Sequence, residues 1–317
     1  MICIVTPALA AANNGNWQTA SRWARMLSGN YRVQVMARWG GEPANAMLAL
    51  HARRSADSIA RWAEHGPRAP LAVVLTGTDL YRDIHADASA QRSLQLADRL
   101  VVLHQAACAD VPAALRKKCR ICLQSATPRQ HRAGSPRRLL AVMVGHLRAE
   151  KMPRTYFEAA RRLAARSDIR LEHIGAALDP ALGDEAAALQ ASGAPYRWLG
   201  ALPHGATRRR IQEADLLVHA SQMEGGAHVL AEAIASGTPV LASRIAGNVG
   251  LLGADYAGYF ELGDAAGLSR WLERCRDEPS ILGALAAQCA RRAPLFEPAS
   301  ERRVLLALVA DLLEISA

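Results

Sequence analysis

The fold of this 317-residue chain is decided by the stretch Leu216-Leu-Val-His-Ala-Ser-Gln-Met-Glu224-Gly-Gly-Ala-His-Val-Leu-Ala-Glu232-Ala-Ile-Ala-Ser-Gly237-Thr-Pro-Val-Leu-Ala-Ser243. Its first four residues read as an aliphatic strand, two glycines make a turn, a helix follows, and Gly237 ends that helix before a second aliphatic strand. Because parallel strands are joined by crossover connections that are usually helices, this order of elements predicts part of a parallel sheet.

The same alternation of short apolar runs and helical stretches continues along the whole chain. Strands are predicted at 2–6, 33–37, 71–75, 100–103 and 120–123 in the first half, and at 139–144, 170–174, 196–199, 216–219, 239–242 and 258–260 in the second. The helices predicted in the first half include Trp17–Leu27, Ala46–Glu64 and Ser89–Ala97. These patterns indicate an α/β protein.

The segment Ala126–Pro136 separates the two series of elements, since it contains two prolines and a glycine and has no apolar periodicity. We therefore predict a Rossmann-like N-terminal domain at 1–130 and a Rossmann-like C-terminal domain at 131–317. The last helix, 300–317, has an apolar stripe and the option of packing back on the N-terminal domain. A chain of this length can bury two cores, and we expect the ligand-binding cleft between them.

The composition, with 50% hydrophobic and 21% charged residues, is that of a globular protein. No apolar run approaches the roughly 18 residues that span a bilayer, and Met1–Pro7 lacks the features of a signal peptide. We predict a cytoplasmic protein without stable membrane association. The helix Trp17–Leu27 is compatible with an anionic bilayer surface, although its apolar side chains are better explained by the core of its own domain.

The formal charge of +9 is unevenly placed along the sequence. Up to Ser135 there are 17 Lys and Arg against 8 Asp and Glu, and the remainder carries 21 of each. With 5% aromatic residues and no basic run with interleaved aromatics, the sequence gives no sign of nucleic-acid binding. The excess either binds a small anionic ligand or is an uneven solvated surface.

Metal and redox chemistry have little support in the sequence. Six cysteines are thinly scattered, and Cys119–Cys122 is an isolated CxxC that we interpret as buried packing, because no second ligand pair follows at zinc-binding spacing. No Asp-x-Asp triplet is present to hold a divalent ion at a phosphate. We therefore predict that no metal and no cofactor are required.

The glycine turn has the features of a phosphate site. Gly225 and Gly226 permit close backbone approach, and the amides of Ala227, His228 and Val229 lie at a helix start, where N–H groups and the helix dipole favour an anion. Carboxylates pair well with sugar hydroxyls, and Glu224 ends the strand while Glu232 lies two turns into the helix. Without further evidence, Glu224 and Glu232 are also compatible with ordinary charged side chains exposed to solvent.

The pair Glu224 and Glu232 resembles the E-x7-E motif of retaining-type glycosyltransferases with the GT-B fold, in the large family numbered four. The similarity extends through Gly237–Ser243 and back to Leu199–Pro203 and Val144–Lys151. It implies two Rossmann-like domains facing an interdomain cleft, with UDP bound on the second domain.

By position in that family, Glu224 contacts the donor sugar, Glu232 holds the ribose hydroxyls, and the backbone near Leu202 reads the base. A basic pair holds the diphosphate, and here it includes Lys151. The family usually has Arg where this chain has His146, and Arg148 is the alternative second member. A solvated lysine at a helix start remains the other interpretation of Lys151.

The acceptor side is expected in the N-terminal half. Asn14-Gly15-Asn16 replaces the Gly-Gly that the family has after its first strand, and a plain turn is the alternative. Thr76 stands where many relatives carry His, so acceptor activation by that histidine is not available. Asp79 either orients the acceptor or caps the following helix.

These departures, together with Met223–His228, Ile245–Leu252 and Asp255–Phe260, resemble one subgroup, the selenosugar synthases of selenoneine biosynthesis. The resemblance implies transfer of a hexose or N-acetylhexosamine from a UDP-sugar to selenophosphate, which gives a 1-selenosugar. Two alternatives stay open: a GT-B transferase acting on an oxygen acceptor such as a sugar or lipid, and a non-catalytic protein that binds nucleotide sugars.

Overall fold

A computed structural model describes residues 1–9, 15–66, 69–132, 134 and 137–315 of the chain. Contacts between residues divide it into two units. Unit 1 comprises Met1–Ser125, Glu224–Gly226 and Glu297–Ala317, and unit 2 comprises Ala126–Met223 and Ala227–Phe296. The predicted domain boundary at 130 stays a prediction.

Unit 1 is built on a six-stranded sheet in which every neighbouring pair is parallel. Its strands are β1 (Ile2–Val5), β2 (Val33–Met36), β3 (Ala46–Leu50), β4 (Leu71–Val74), β5 (Arg99–Val102) and β6 (Cys119–Ile121), in the spatial order β2-β1-β3-β4-β5-β6. The helices of this unit are α1 (Gly15–Leu27), α2 (Ala56–His65), α3 (Ile84–Ala86), α4 (Ala88–Leu96) and the C-terminal α12 (Pro298–Ile315). A π-helical turn at Asp79–Asp83 and 3-10 turns at Gln105–Ala109 and Ala113–Lys118 complete it.

The predicted helix Ala46–Glu64 is wrong in its first part. Residues Ala46–Leu50 form β3, which pairs with β1 on one side and β4 on the other, and helix α2 begins only at Ala56. Ala, Met and Leu are good helix formers, so propensity favours a helix there. All five residues are fully buried, and burial between two neighbouring strands outweighs that local preference.

Unit 2 has a second parallel sheet of six strands. Its strands are β7 (Leu139–Val144), β8 (Ile169–Ile174), β9 (Tyr196–Trp198), β10 (Leu216–His219), β11 (Val240–Ser243) and β12 (Tyr259–Phe260), in the order β12-β11-β10-β7-β8-β9. Its helices are α5 (Pro153–Arg162), α6 (Pro180–Ala191), α7 (His204–Glu213), α8 (His228–Ile234), α9 (Ala246–Leu252), α10 (Ala265–Asp277) and α11 (Pro279–Arg292). All six strands lie within one residue of their predicted ends. The predicted class of two Rossmann-like parallel-sheet units is confirmed.

Each sheet has a topological switch point, where the chain reverses the direction in which strands are added. In unit 1 it lies at β1, between β2 and β3, and in unit 2 it lies between β7 and β10. Open α/β sheets bind ligands outside the carboxyl ends of the strands at such points. The loops after β7 and β10, which carry most of the predicted donor residues, therefore lie where this architecture places a ligand.

Helix α12 completes the core of unit 1 and is anchored there by a buried carboxylate. Its Leu305 and Val309 pack in one core cluster with Trp23 of α1. Glu301 accepts hydrogen bonds from Arg22 Nε at 2.9 Å, Trp23 Nε1 at 2.7 Å and the Ser125 backbone N at 2.8 Å. Burial alone raises the pKa of Glu301, but Arg22 and Ser125 outweigh it and hold that pKa below its usual value.

Two further expectations concern helices and cysteines. Among the described residues, no helix combines the length and the apolar composition that crossing a membrane requires. Trp23, from the helix considered for a membrane surface, is fully buried in the core of unit 1.

All six cysteines are free thiols, and burial raises the pKa of Cys119 to about 12, in line with a packing role.

Candidate functional site

The most distinctive group of polar side chains in unit 2 surrounds Glu232 on α8. The residue is 4% exposed, and one of its oxygens, Oε1, contacts three side chains. His204 Nε2 lies at 2.6 Å, His228 Nδ1 at 3.5 Å and Arg208 Nη1 at 3.8 Å. Burial raises the pKa of Glu232, but His228, His204 and Arg208 together lower it below its usual value. The site therefore holds an ionised, buried carboxylate.

Helix α7 supplies two of these partners from one face, because His204 and Arg208 are one turn apart. Arg208 is 4% exposed and is fixed by hydrogen bonds from its Nη2 to the Thr127 carbonyl at 2.9 Å and to Ser236 Oγ at 3.2 Å. Sequence reasoning missed both residues. The i, i+4 spacing of His204 and Arg208 indicates that both side chains share one helix face. Nothing in the sequence shows that this face meets the carboxylate of Glu232, which lies 28 residues after His204.

The loop after β7 brings three predicted residues together. Burial, followed by the charges of Arg148 and Lys151, lowers the pKa of His146, so that this imidazole is neutral. His146 Nδ1 accepts a hydrogen bond from the Ala176 amide at 3.0 Å, which leaves its proton on Nε2. The aliphatic stem of Lys151 packs over Gly145. Positive charge in this loop therefore comes from Lys151 and Arg148, while His146 can donate a neutral hydrogen bond.

Backbone contacts fix this loop at the switch point. Gly175 lies so close to Gly145 that a methyl group on Gly175 would be 2.0 Å from the Gly145 carbonyl oxygen. The Gly175 amide donates to the Gly200 carbonyl at 2.8 Å, and the Gln222 amide donates to the Glu150 carbonyl at 3.0 Å. The loops after β7, β8, β9 and β10 are therefore tied to one another. Gly175 was not among the predicted site residues.

Leu202, predicted to read the base, lies in the loop after β9. It is half-buried, and its carbonyl accepts a hydrogen bond from Thr207 Oγ1 at 3.4 Å. This hydrogen bond ties the loop to the first turn of α7, which carries His204. Base reading at Leu202 stays a prediction.

The segment Glu224–Gly226 groups with unit 1 by its contacts. A methyl group on Gly225 would lie 2.5 Å from the Gly77 amide nitrogen, and one on Gly226 would lie 2.4 Å from Leu103 Cβ. Both glycines are thus required by packing against protein atoms. Glu224 is 9% exposed, and the predicted roles of Glu224, Gly225 and Gly226 toward a donor stay predictions.

Helix α8 begins at His228, with Ala227 as its N-cap residue, and it has seven residues. Its N-cap has no side-chain hydrogen bond. The predicted contacts from the amides of Ala227, His228 and Val229 to a diphosphate stay predictions. The structure adds a second feature at this helix start, because the His228 imidazole turns toward Glu232 one turn later.

The loop after β4 is held by Asp79. One carboxylate oxygen of Asp79 accepts from the Thr76 amide at 2.8 Å and the Gly77 amide at 2.9 Å, and the other accepts from the Ala52 amide at 3.0 Å. Asp79 is fully buried, and no side-chain hydrogen bond caps the helical turn that it begins. Its contacts are those of a residue that positions Thr76 and Gly77, and contact with an acceptor stays a prediction.

Two histidines that were not predicted support the same region of unit 1. His51 adopts a left-handed backbone conformation with φ 72°, and its Nε2 lies 3.0 Å from Thr78 Oγ1. His104 Nε2 lies 2.8 Å from the Tyr81 hydroxyl, and burial lowers the pKa of His104 to about 4. Both imidazoles are buried, and each is hydrogen-bonded to a hydroxyl group, that of Thr78 for His51 and that of Tyr81 for His104.

The first acceptor residues fall at the start of α1. Gly15 and Asn16 are the first two residues of this helix, and Asn14 lies outside the described residues. The carbonyl of Gly15 accepts a hydrogen bond from Thr19 Oγ1 at 2.9 Å. A methyl group added to Gly15 would meet open space. Their predicted roles toward an acceptor stay predictions.

The folded units redistribute the charge. Unit 1 carries 17 Lys and Arg against 13 Asp and Glu, and unit 2 carries 21 against 16. The excess in the first half of the sequence is reduced in unit 1 because α12 and its N-terminal flank add acidic residues, among them Glu301 and Asp311. Charge alone therefore does not single out unit 1 as the anion-binding half.

Comparison with known proteins identifies relatives. Residues 127–276 match the family described as glycosyl transferases group 1. A search of curated protein sequences found no match. Among solved structures, sucrose-phosphate synthase from Thermosynechococcus elongatus has a TM-score of 0.81 at 14% identity, with 99% of each chain covered. Anabaena HepE, solved in complex with UDP and glucose, has a TM-score of 0.76 at 14% identity, with 98% of this chain and 99% of that chain covered.

A third neighbour shows how far the similarity reaches in larger proteins. The chain spans 55% of the length of S. aureus TarM, solved in a complex that includes UDP, with a TM-score of 0.68 at 13% identity and 84% of this chain covered. At such identities these structures establish the architecture alone, and it is the GT-B fold.

Proposed function

We propose that this protein is a glycosyltransferase that takes its sugar from a UDP-sugar and passes it to selenophosphate. Residues 127–276 match the glycosyl transferases group 1 family, and the chain as a whole has the GT-B fold. The sugar is a hexose or an N-acetylhexosamine, and the product is a 1-selenosugar. Neither a metal ion nor a cofactor is needed in this proposal.

The observation that carries the donor half of the proposal is the state of Glu232. An ionised carboxylate that is 4% exposed loses solvation, which must be replaced by hydrogen bonds. The shortest contacts of its carboxylate with His204, Arg208 and His228 are all made by Oε1. The two hydroxyls of a ribose supply paired O–H donors for such a carboxylate. A nucleoside diphosphate sugar is the ligand that fits this requirement.

The loop after β7 supplies the second requirement of the donor, which is stabilisation of charge on the leaving diphosphate. Lys151 provides a compact ammonium and Arg148 a guanidinium, and the neutral His146 has an N–H at Nε2. Preorganised donors aimed at developing negative charge contribute the largest part of the rate in many transfer reactions. Solved complexes of Anabaena HepE with UDP and with UDP-glucose support uridine as the base.

The acceptor half of the proposal rests on the resemblance to selenosugar synthases and on what the loop after β4 lacks. Thr76 occupies the position where many relatives carry His, and the carboxylate of Asp79 is occupied by backbone amides. An alcohol acceptor needs a general base, whereas a selenolate, like a thiolate, is already a strong nucleophile near neutral pH. A selenolate acceptor, which needs no general base, therefore fits the residues of the loop after β4.

The reaction balances as a substitution followed by a hydrolysis. Selenium of selenophosphate forms a bond to C1 of the sugar, and the bond between C1 and the diphosphate oxygen breaks, with its electron pair leaving on UDP. Water then cleaves the Se–P bond, which releases phosphate and leaves selenium on C1. Exclusion of bulk water from the first step would limit hydrolysis of the donor.

The test is an anaerobic incubation of the purified protein with a panel of UDP-sugars and selenophosphate, followed by mass spectrometry. Two reactions are the chemical controls: one contains thiophosphate in place of selenophosphate, and the other contains neither. We expect UDP and a hexose carrying the selenium isotope pattern. The yield should fall at least about a hundredfold in Glu232→Gln and Lys151→Met, and it should be unchanged in the exposed controls Glu261→Gln and Lys117→Met.

The outcomes separate the parts of the proposal. If UDP-sugar binds but selenium never reaches the sugar, the selenophosphate proposal is wrong, and oxygen acceptors such as sugars and lipids become the candidates. If UDP-sugar binds and is not consumed with any acceptor, the protein is a nucleotide-sugar binding protein. If no UDP-sugar binds, the donor assignment is refuted as well.

A further inference from the structure

His204, His228 and Glu232 have the composition of a zinc-binding group. Each offers one ligand atom, and these three atoms all lie within 4.8 Å of one another. Two imidazole nitrogens and one carboxylate oxygen are ligands that suit Zn²⁺, whereas Mg²⁺ and Ca²⁺ prefer oxygen ligands only. The expectation that no metal is required rested on the isolated Cys119–Cys122 pair and on the missing Asp-x-Asp triplet, and it did not consider these histidines.

The geometry is close to what a zinc ion requires. Two of the three residues lie on α8 at positions i and i+4, so that their side chains share one face. Zinc bonds of about 2.0–2.1 Å in a tetrahedron separate neighbouring ligand atoms by about 3.4 Å. His228 Nδ1 and Glu232 Oε1 are 3.5 Å apart, which matches that separation.

The third ligand, His204, needs a small outward movement. Its Nε2 is 2.6 Å from Glu232 Oε1, at hydrogen-bonding distance and too close for both atoms to bind one ion. The His204 side chain is 46% exposed, so it can turn toward solvent by less than about 1 Å without disturbing the core. The half-buried His228 and the buried Glu232 stay in place.

We propose that His204, His228 and Glu232 bind a zinc-class divalent ion, and that this ion inhibits the enzyme by occupying the carboxylate that holds the ribose of the donor. The first part needs only these three side chains. The second part rests on the proposed function, because it requires Glu232 to bind ribose. Two ligands that need one carboxylate oppose each other, and each weakens the other by the same factor.

One neighbour limits the affinity of this site. Arg208 lies 3.8 Å from the same carboxylate oxygen, and its positive charge repels a dication. Hard ions that depend on carboxylate charge are disfavoured most by this arrangement, while zinc retains its bonds to two imidazoles. The site therefore selects zinc or Co²⁺ over Mg²⁺, and it holds the ion reversibly.

The experiment measures metal binding directly, before any activity is assayed. The full chain, without a polyhistidine tag and freed of metal by chelation, is titrated with Zn²⁺ by calorimetry and with Co²⁺ by visible absorption. We expect one equivalent, and a Co²⁺ complex without the thiolate charge-transfer bands that the free cysteines would give. His204→Gln and His228→Gln should each weaken binding about tenfold or more, whereas His85→Gln, an exposed histidine of unit 1, should not.

A second titration tests the link to the donor. UDP should raise the apparent Kd for zinc, and zinc should raise the apparent Kd for UDP by the same factor. Equal zinc affinity in all the histidine variants would overturn the metal site. Simultaneous binding of zinc and UDP without mutual effect would overturn the inhibition. If zinc binds as expected but UDP binds equally well to metal-free Glu232→Gln, the metal site stands and the proposed ribose contact is wrong.

Discussion

Replacing Glu301 by Gln should destabilise unit 1 strongly while leaving side-chain size almost unchanged. Its carboxylate accepts hydrogen bonds from Arg22, Trp23 and both the amide and hydroxyl of Ser125. A glutamine amide presents an NH₂ group where at least two of these donors now point, and it removes the negative charge that pairs with the Arg22 guanidinium, which is 11% exposed. Breaking a buried ion pair by removing one partner costs about 3–5 kcal/mol.

The expected loss can be measured as a change in thermal stability. For a unit of this size, 1 kcal/mol corresponds to roughly 2–4 °C in the unfolding midpoint, so Glu301→Gln should lower Tm by about 6–20 °C. Hydrogen–deuterium exchange of peptides from α1 and α12 assigns the loss to unit 1. The matched control is Glu297→Gln, an exposed glutamate just before the same helix, which should shift Tm by less than about 2 °C.

Two results would refute this reasoning. A Glu301→Gln protein with the stability of the Glu297→Gln control would mean that the buried carboxylate contributes no net stability. Uniformly faster exchange in both units would mean that the effect is not local to α12. Glu301→Leu provides the complementary measurement, since an apolar replacement removes the carboxylate but keeps the volume, and it should also be destabilising because Arg22 loses the same partner.

Four further outcomes are expected. Lys151→Met should weaken UDP binding about tenfold or more, measured by calorimetry, with unchanged Tm; an unchanged Kd would remove Lys151 from the donor site. Gly175→Ala should lower both Tm and UDP affinity, because the added methyl group meets the Gly145 carbonyl oxygen at 2.0 Å; a fully stable variant with normal UDP binding would contradict the tight loop packing. Asp79→Asn should reduce kcat with little change in the Kd for UDP, since the loop that it holds is in unit 1 and the donor residues Glu232 and Lys151 are in unit 2; an equal loss of UDP binding would count against this separation. Because the pKa of Glu301 is lowered on folding, its contribution to stability is present above the unfolded pKa of about 4.3 and is lost as the pH falls through the folded value; acid unfolding of Glu301→Gln should therefore show a weaker pH dependence below that value, and identical profiles would exclude the linkage.

Strands β7 and β10 of unit 2 could be predicted because each is an apolar run that is followed by glycine. Strand β10 ends at His219, ahead of the Gly225–Gly226 turn, and β7 ends at Val144, directly before Gly145; both were placed at their observed ends. Strand β3 was missed for the opposite reason. Its residues favour a helix locally, and only its two neighbouring strands, 21 or more residues away on the chain, make it a strand.

The site was predictable where it follows the motif and unpredictable where contacts are distant in sequence. Glu232 and Lys151 were selected by the resemblance to the E-x7-E family, and their roles toward a donor stay predictions. His204 and Arg208 were not, because their value depends on a carboxylate that lies 24 to 28 residues further along the chain. Asp79 was placed correctly in the loop after β4, but its buried position among backbone amides is a property of the folded loop.

The hydrogen bond between Trp23 and Glu301 has a consequence for how the protein is made. These residues are 278 positions apart in the chain. A ribosome adds about 5–20 residues per second, so Trp23 is synthesised roughly 15–55 s before Glu301. All of unit 2 is translated within that interval. The second Rossmann-like unit is therefore expected to finish folding before the first, and until then the nascent chain displays the apolar surface that α12 covers, which makes that surface a substrate for chaperones during translation.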